Sequence, residues 1–184
     1  MNMETFLAAL DARSQILYLY ARFCRRVDRC DRECIFWVYR PDARDDRGSF
    51  AGGPEEFTDW VIDLHQSQFV WTSHYVTNEI VQIDGAKAVG RGSVAALLPR
   101  GRPSVYPAPV DIWIASSAAT GLWKIAFRTA TTDWNRIDPV DEGAAGELVT
   151  RSVVGTRSGD DASYRFLRPN LLTKMAVLAD PTGV

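Results

Sequence analysis

Trp71-Thr72-Ser73-His74-Tyr75-Val76-Thr77-Asn78-Glu79-Ile80-Val81-Gln82-Ile83 runs into Asp84-Gly85, and Ala86 to Leu98 follows with the same β character. Asp-Gly between two strand-like runs signals a two-residue hairpin turn, so this stretch founds an antiparallel sheet. With the turn at Asp84-Gly85, His74 is expected opposite Ala95, with Ser93 and Leu97 diagonal to it. The two-residue side-chain period places His74, Val76, Asn78 and Ile80 on one face. Two further strands, about Val110 to Ser116 and about Leu122 to Trp134, are expected around a turn at Ala119-Thr120-Gly121.

Helical patterns come before this sheet. Asp11 is the expected N-cap of a helix from about Ala12 to Arg29, whose Ile16, Tyr20, Phe23 and Val27 recur on one apolar face widened by Leu17 and Cys24. Arg22, Arg25, Arg26 and Arg29 are expected on the solvated side. Asp28 falls at the border of the apolar stripe, where helical geometry permits an inward direction, although a carboxylate at a helix end often only pairs with an arginine or caps the next helix. Asp31 is expected to cap a short helix from Arg32 to Tyr39. Pro41-Asp42-Ala43 ends it, and Arg44-Asp45-Asp46-Arg47-Gly48 reads as a loop. Gly53-Pro54-Glu55-Glu56 opens a third helix with Phe57, Trp60, Val61 and Leu64 at helical spacing. His65, near its end, reads as a helix-terminal charge or a surface side chain. Helices grouped before strands cannot supply alternating parallel crossovers, so the fold class is α+β with a curled, mostly antiparallel sheet.

Composition narrows the function. Hydrophobic residues make up 46% and charged residues 24% of 184 positions, ordinary values for one globular domain. A net charge of -2, from 21 basic and 23 acidic side chains, provides no field to draw nucleic acid or an anionic membrane. Small-molecule or protein partners fit better, with neither nucleic acid nor membrane expected. The start lacks a basic segment followed by an apolar core, and a cytoplasmic location is the expectation. Three cysteines, Cys24, Cys30 and Cys34, form an odd set without zinc-site spacing, so neither a disulfide framework nor a metal is expected. Pro99 to Pro107 reads as a loop. Residues 137–184 read as a C-terminal extension to a domain of residues 1–136: polar and glycine-rich at first, with little to bury from Arg157 to Asp161, then apolar again from Phe166 to Leu178. A lid or an oligomer contact is the expected role.

His74 is the strongest chemical candidate. Imidazole takes a proton near neutral pH, and a carboxylate behind it, such as Asp28, fixes its tautomer and raises its basicity. The bland alternative is a core histidine satisfied by backbone.

The fragments Ile16-Leu17-Tyr18-Leu19-Tyr20-Ala21-Arg22 through Val27-Asp28, Pro41-Asp42-Ala43, Phe50-Ala51-Gly52, Thr72-Ser73-His74-Tyr75 with Asn78, and Trp123-Lys124-Ile125 with Arg128 have an order and spacing that resemble the SnoaL-like branch of the nuclear transport factor 2-like superfamily. The resemblance covers about residues 10 to 136. It implies a cone-shaped α+β barrel, three N-terminal helices on a curved sheet, enclosing an apolar pocket. Scytalone dehydratase and hexachlorocyclohexane dehydrochlorinase in that superfamily use an Asp-His dyad, which corresponds here to Asp28 and His74. Arg128 lies near a cavity arginine of the dehydrochlorinase. The chain departs from both enzymes at Phe23, where the dehydrochlorinase has a lysine, and at Val27, where scytalone dehydratase has a tyrosine.

The implied activity is a cofactor-independent lyase or isomerase acting on a hydrophobic cyclic or aromatic small molecule. His74 and Asp28 are the expected catalytic pair, Arg128, Asn78 and Ser93 the polar substrate contacts, and Phe23, Tyr20, Val76 and Phe69 the apolar walls. The competing expectation is a non-catalytic β subunit of an aromatic-ring-hydroxylating dioxygenase, and a third is a binding protein. The resemblance also implies a homo-oligomer, a trimer before a dimer.

Overall fold

The computed structural model describes residues 2–97, 104–105, 110–117, 122–132, 138–139, 155–158 and 160–165. By internal contacts the chain divides into two units, Met1–Glu142 and Gly143–Val184.

The first unit opens with α1 (Met3–Asp28), which begins nine residues before the expected start. Asn2 rather than Asp11 is the N-cap, and its side chain accepts a hydrogen bond from the Thr5 N–H at 2.8 Å. Glu4 supplies the negative charge that a helix N-terminus favours. Asp11 instead accepts from Gln15 one turn later. The early turns have no buried side chain, so the apolar stripe used to place the helix could not reveal them. From Ile16 onward Leu19, Tyr20, Phe23, Cys24 and Val27 are buried.

Asp31 caps α2 (Arg32–Trp37), accepting from the Cys34 N–H. The following segment corrects the sequence reading. Residues 39–46 form a strand, β1 (Tyr39–Asp46), where a helix end and a loop were expected. Its register against the sheet is irregular between Tyr39 and Arg44, the interval containing Pro41. A proline without an N–H fits such an irregularity better than a regular ladder. The charged run misled because Asp45 is buried, paired within the protein rather than solvated.

After β2 (Ala51–Gly52), α3 (Pro54–Gln68) starts as expected, with Pro54 in its first turn. The Glu56 carboxylate accepts from the Gly53 N–H at 2.7 Å. β3 (Ser73–Asp84), β4 (Lys87–Leu97), β6 (Val110–Ser117) and β7 (Ile125–Thr132) join β1 and β2 in a six-stranded sheet of order β2-β1-β7-β6-β4-β3. Among the described strands only β1 and β7 pair in parallel, so the sheet is mostly antiparallel. Part of the expected loop after β4 forms β5 (Ser104–Val105), which pairs with β8 (Asp138–Pro139). The expected turn at 119–121 lies outside the described residues.

The hairpin differs from its expected register in two ways. Asp84 pairs with Lys87, so the loop residues are Gly85-Ala86, with Gly85 at φ +54°. A bulge then interrupts β3 between Thr77 and Ile80, where Asn78 adopts φ +53°. The two changes leave His74 opposite Ala96 rather than Ala95. They also reverse the face of everything beyond the bulge: Val81 and Ile83 pack toward the core, whereas Ile80 is exposed.

The core lies between α1, α3 and the sheet. Phe23, Tyr39 and Phe57 meet ring to ring, and Phe50 and Trp60 extend the cluster. Tyr20 reaches β4 at Gly90, where an added Cβ would lie 2.8 Å from the phenol oxygen. No helix among the described residues is long and apolar enough to cross a membrane.

In the second unit, Asp161 organises a turn ahead of a 3-10 segment at Ala162–Arg165. It is buried and accepts from the Thr156 and Ser163 N–H groups. The expectation that Arg157 to Asp161 contains little to bury is thus corrected at Asp161. The apolar run from Phe166 to Leu178 lies outside the described residues.

Candidate functional site

Asp28 is the last residue of α1 and His74 the second residue of β3, yet their side chains meet. The Asp28 Oδ1 accepts from the His74 Nδ1 at 2.6 Å, and its Oδ2 accepts from the His74 backbone N–H at 3.1 Å. The doubled contact fixes the carboxylate against both ring and backbone. Burial opposes ionisation of Asp28, but the His74 hydrogen bond and charge, a hydrogen bond from Thr72, and the His74 N–H outweigh it. Together they hold the carboxyl below its ordinary value. With Nδ1 engaged, Nε2 is the nitrogen left for a substrate. The two side chains are 11% and 17% exposed, enough to admit a ligand without open solvation.

A hollow of about 410 Å³ opens beside the pair, between α1 and the edge strand β3. Asp28, His74 and Val76 line it with Thr72, Glu79, Cys24, Arg25 and Arg29. Burial pushes the Cys24 thiol up to about 12, so it remains a protonated wall at neutral pH. No cluster of side chains suited to a metal occurs among the described residues.

Several expected site residues lie elsewhere. Asn78 occupies the bulge and is exposed, so it does not share a face with His74. Ser93 pairs with Thr77, a position whose side chain is exposed, while His74 and Val76 pair with Ala96 and Val94. A one-residue register change carries Ser93 to the other face. Tyr20 and Phe23 are core residues, and Phe69 at the end of α3 packs edge-on against His65. None of these lines the hollow, and neither does Arg128.

Arg128 is 2% exposed and contacts the fully buried Asp45 carboxylate at 3.1 Å and the Tyr39 hydroxyl at 3.1 Å. Its guanidinium lies 4.2 Å from the Phe23 ring centroid. Burial pulls its pKa down, but Tyr39 and Asp45 more than compensate, so the cation is locked in place. Among the described residues its Nε has no hydrogen-bond partner.

Other residues passed over by the sequence reading belong to the site. The bulge turns Glu79 toward the hollow, a consequence of backbone geometry that alternation does not encode. Arg25 and Arg29 line the hollow instead of forming a solvated face, and Arg26 is buried against Asp31. His65 is 5% exposed, not a surface group, and its ring lies 5.7 Å from His74 at an interplanar angle of 18°. The signal was available: His65 continues the four-residue spacing of buried Phe57 and Val61.

The sequence profile of the SnoaL-like domain matches residues 8–129, and the chain belongs to this family of the nuclear transport factor 2-like superfamily. Its fold is accordingly the α+β cone expected from the sequence. Similar solved structures include the hexachlorocyclohexane dehydrochlorinase LinA-type3 from Novosphingobium barchaimii LL02, with 20% identity, TM-score 0.65, and coverage of 74% of this chain and 94% of that chain. A candidate scytalone dehydratase from Novosphingobium aromaticivorans has 17% identity, TM-score 0.63, and coverage of 72% and 91%. A candidate aromatic ring hydroxylase from the same species has 18% identity, TM-score 0.63, and coverage of 71% and 94%. No curated protein matches the chain by sequence.

Proposed function

We propose that the chain is a cofactor-independent lyase or isomerase of the dehydratase or dehydrochlorinase kind, acting on a hydrophobic cyclic or aromatic small molecule. The carrying observation is the 2.6 Å contact between Asp28 and His74 at the wall of a hollow. His74 Nε2 takes a proton from carbon, and the Asp28 carboxylate stabilises the imidazolium that forms. In a lyase the electron pair left on carbon forms the new double bond as the leaving group departs, and the imidazolium passes its proton to that group or to solvent; in an isomerase the pair delocalises and the imidazolium returns its proton to a different carbon. Val76 supplies apolar contact and Glu79 a polar one. Arg128 contributes through its fixed charge and its hold on Phe23, rather than by direct contact. The dehydrochlorinase and candidate dehydratase among the similar structures support this reaction class.

Self-association as a trimer is part of the proposal. Tyr75, Ile80, Val89 and Phe127 expose apolar area that a second copy would cover, and sedimentation of the purified chain reads the outcome. A β subunit of a ring hydroxylase would need an iron-bearing partner and would not turn over substrate alone.

The test is a panel of hydroxylated and halogenated cyclic compounds incubated in deuterated buffer, with product, halide release and deuterium incorporation followed. Turnover that disappears in His74→Ala and Asp28→Ala supports the assignment. Equal turnover in both variants sinks it.

A further inference from the structure

One carboxylate in the hollow stands apart from the Asp28–His74 pair. Glu79 comes from β3 just beyond Asn78, where the bulge inserts an extra residue and gives Glu79 the face that His74 and Val76 occupy. Gly92 sits opposite the bulge, buried and without a side chain to block that path. A Cβ there would lie 3.1 Å from the Val76 Cγ1 and 3.7 Å from the Glu79 Cγ. The Glu79 side chain is half-buried. Among the described residues no hydrogen bond or ion pair takes up its carboxylate.

A carboxylate can only accept hydrogen bonds, and one partly withdrawn from water favours any ligand that brings it a donor. The charges around it narrow what that donor is. Arg25 and Arg29, one turn apart on α1, line the same hollow and oppose an ammonium group. Glu79 itself opposes an anion, and a carbon-bound halogen has no proton to give. A neutral hydroxyl meets all three conditions. At about 3.3 Å per strand residue, the His74 and Glu79 Cα atoms are roughly 13 Å apart with Val76 between them, so the hydroxyl and the acidic carbon belong to opposite ends of an apolar skeleton.

We propose that Glu79 is the specificity-determining residue of the hollow, accepting a hydrogen bond from a neutral ring hydroxyl and so selecting hydroxylated over halogenated compounds. The proposal rests on reading the hollow as the substrate site, but equilibrium binding tests it without turnover.

The experiment measures the affinity of the full chain for a matched set of compounds from the shifts of its backbone amide resonances. The set is para-ethylphenol, para-ethylanisole, para-ethylchlorobenzene, para-ethylbenzoate and para-ethylbenzylamine. The phenol is expected to bind roughly 10-fold to 100-fold more tightly than the methyl ether or the chloride, the range for a hydrogen bond to a charged group, and to shift residues 74–79. Glu79→Met keeps the length of the side chain but removes the acceptor, and should bring these three compounds to equal affinity. Glu79→Gln removes the charge and keeps a carbonyl oxygen, so it should narrow the preference, and it serves as the test if the methionine variant fails to fold. Tightest binding of the benzoate or the benzylamine overturns the proposal, as does the absence of saturable binding by the whole set. A phenol preference that survives Glu79→Met undiminished overturns it too. The preference without turnover in the compound panel would count against the lyase or isomerase assignment alone, and turnover without the preference against the role of Glu79 alone.

Discussion

Two acid–base assemblies lie in the same unit, and they are built to opposite ends. Around Arg128, the Asp45 side chain is fully buried and the arginine 2% exposed, with Tyr39 bonded to both. Around His74, the two side chains keep 11% and 17% exposure and face a hollow. Burial raises the Asp45 carboxyl above its ordinary value while Arg128 and Tyr39 pull back. At Asp28 burial also raises, but the hydrogen-bond donors win and the net direction is down. A sealed ion pair holds elements together, whereas one that stays partly wet remains open to a reaction.

The widest separation between the two assemblies should appear in turnover. His74→Ala and Asp28→Ala are expected to lower the rate on any substrate found by roughly 100-fold to 10,000-fold, the usual contribution of a positioned base. Neither should unfold the protein, as circular dichroism would show. The reverse pattern is expected at Asp45→Ala, which leaves a buried guanidinium without its counterion and should cost about 3–5 kcal/mol in urea denaturation. Replacing both Asp45 and Arg128 by apolar residues should recover much of that loss. Recovery would mark the pair as architectural, and its absence would blur the contrast.

A smaller effect concerns pH. The folded-state carboxyl of Asp28 titrates below its unfolded value, so its contribution is present above the unfolded value of roughly 3.9 and lost as pH falls through the folded one. Urea midpoints of the parent should therefore drop more steeply toward acid than those of Asp28→Asn. Asp45 has the opposite sign, because ionising a carboxyl whose folded value is raised costs stability as pH rises. Equal slopes in parent and Asp28→Asn would remove the electrostatic half of the comparison.

The smallest effect is at the bulge. Asn78→Val forces a branched side chain into φ +53° and should cost about 1–2 kcal/mol, whereas Asn78→Gly should change stability by only a few tenths. Thermal or urea melts distinguish them. A tolerated valine would mean that the bulge, and with it the direction of Glu79, is not held by this residue.

Much of the fold could be read in the sequence because it rests on local periodicity. The Ile16-to-Val27 stripe, the Asp31 cap, the proline opening α3 and the glycine of the hairpin each state a backbone preference over a few residues. The errors occurred where a local pattern has two physical outcomes. Arg44-Asp45-Asp46 is polar enough for a loop, but Arg128, 83 positions away, joins the neighbouring Arg47 as a counterion and lets Asp45 enter the interior. His65 has both a helix-terminal position and an apolar-stripe position, and packing chose the second. Register failed most consequentially at Asn78: alternation along β3 continues past the bulge in the sequence but changes face in space.

The sequence alone determined that three helices come ahead of the long antiparallel hairpin, that Asp28 sits at an inward-capable position, and that His74 belongs to a strand, since these follow from short-range pattern and from residue identities matched to a family. Tertiary structure decided that Asp28 and His74 touch across 46 positions, that Asn78 and Ser93 leave their company, and that Glu79, Thr72 and His65 join it. The reason is physical: strand register and helix docking are settled by the whole sheet and core together, and a shift of one residue changes which side chains share a space.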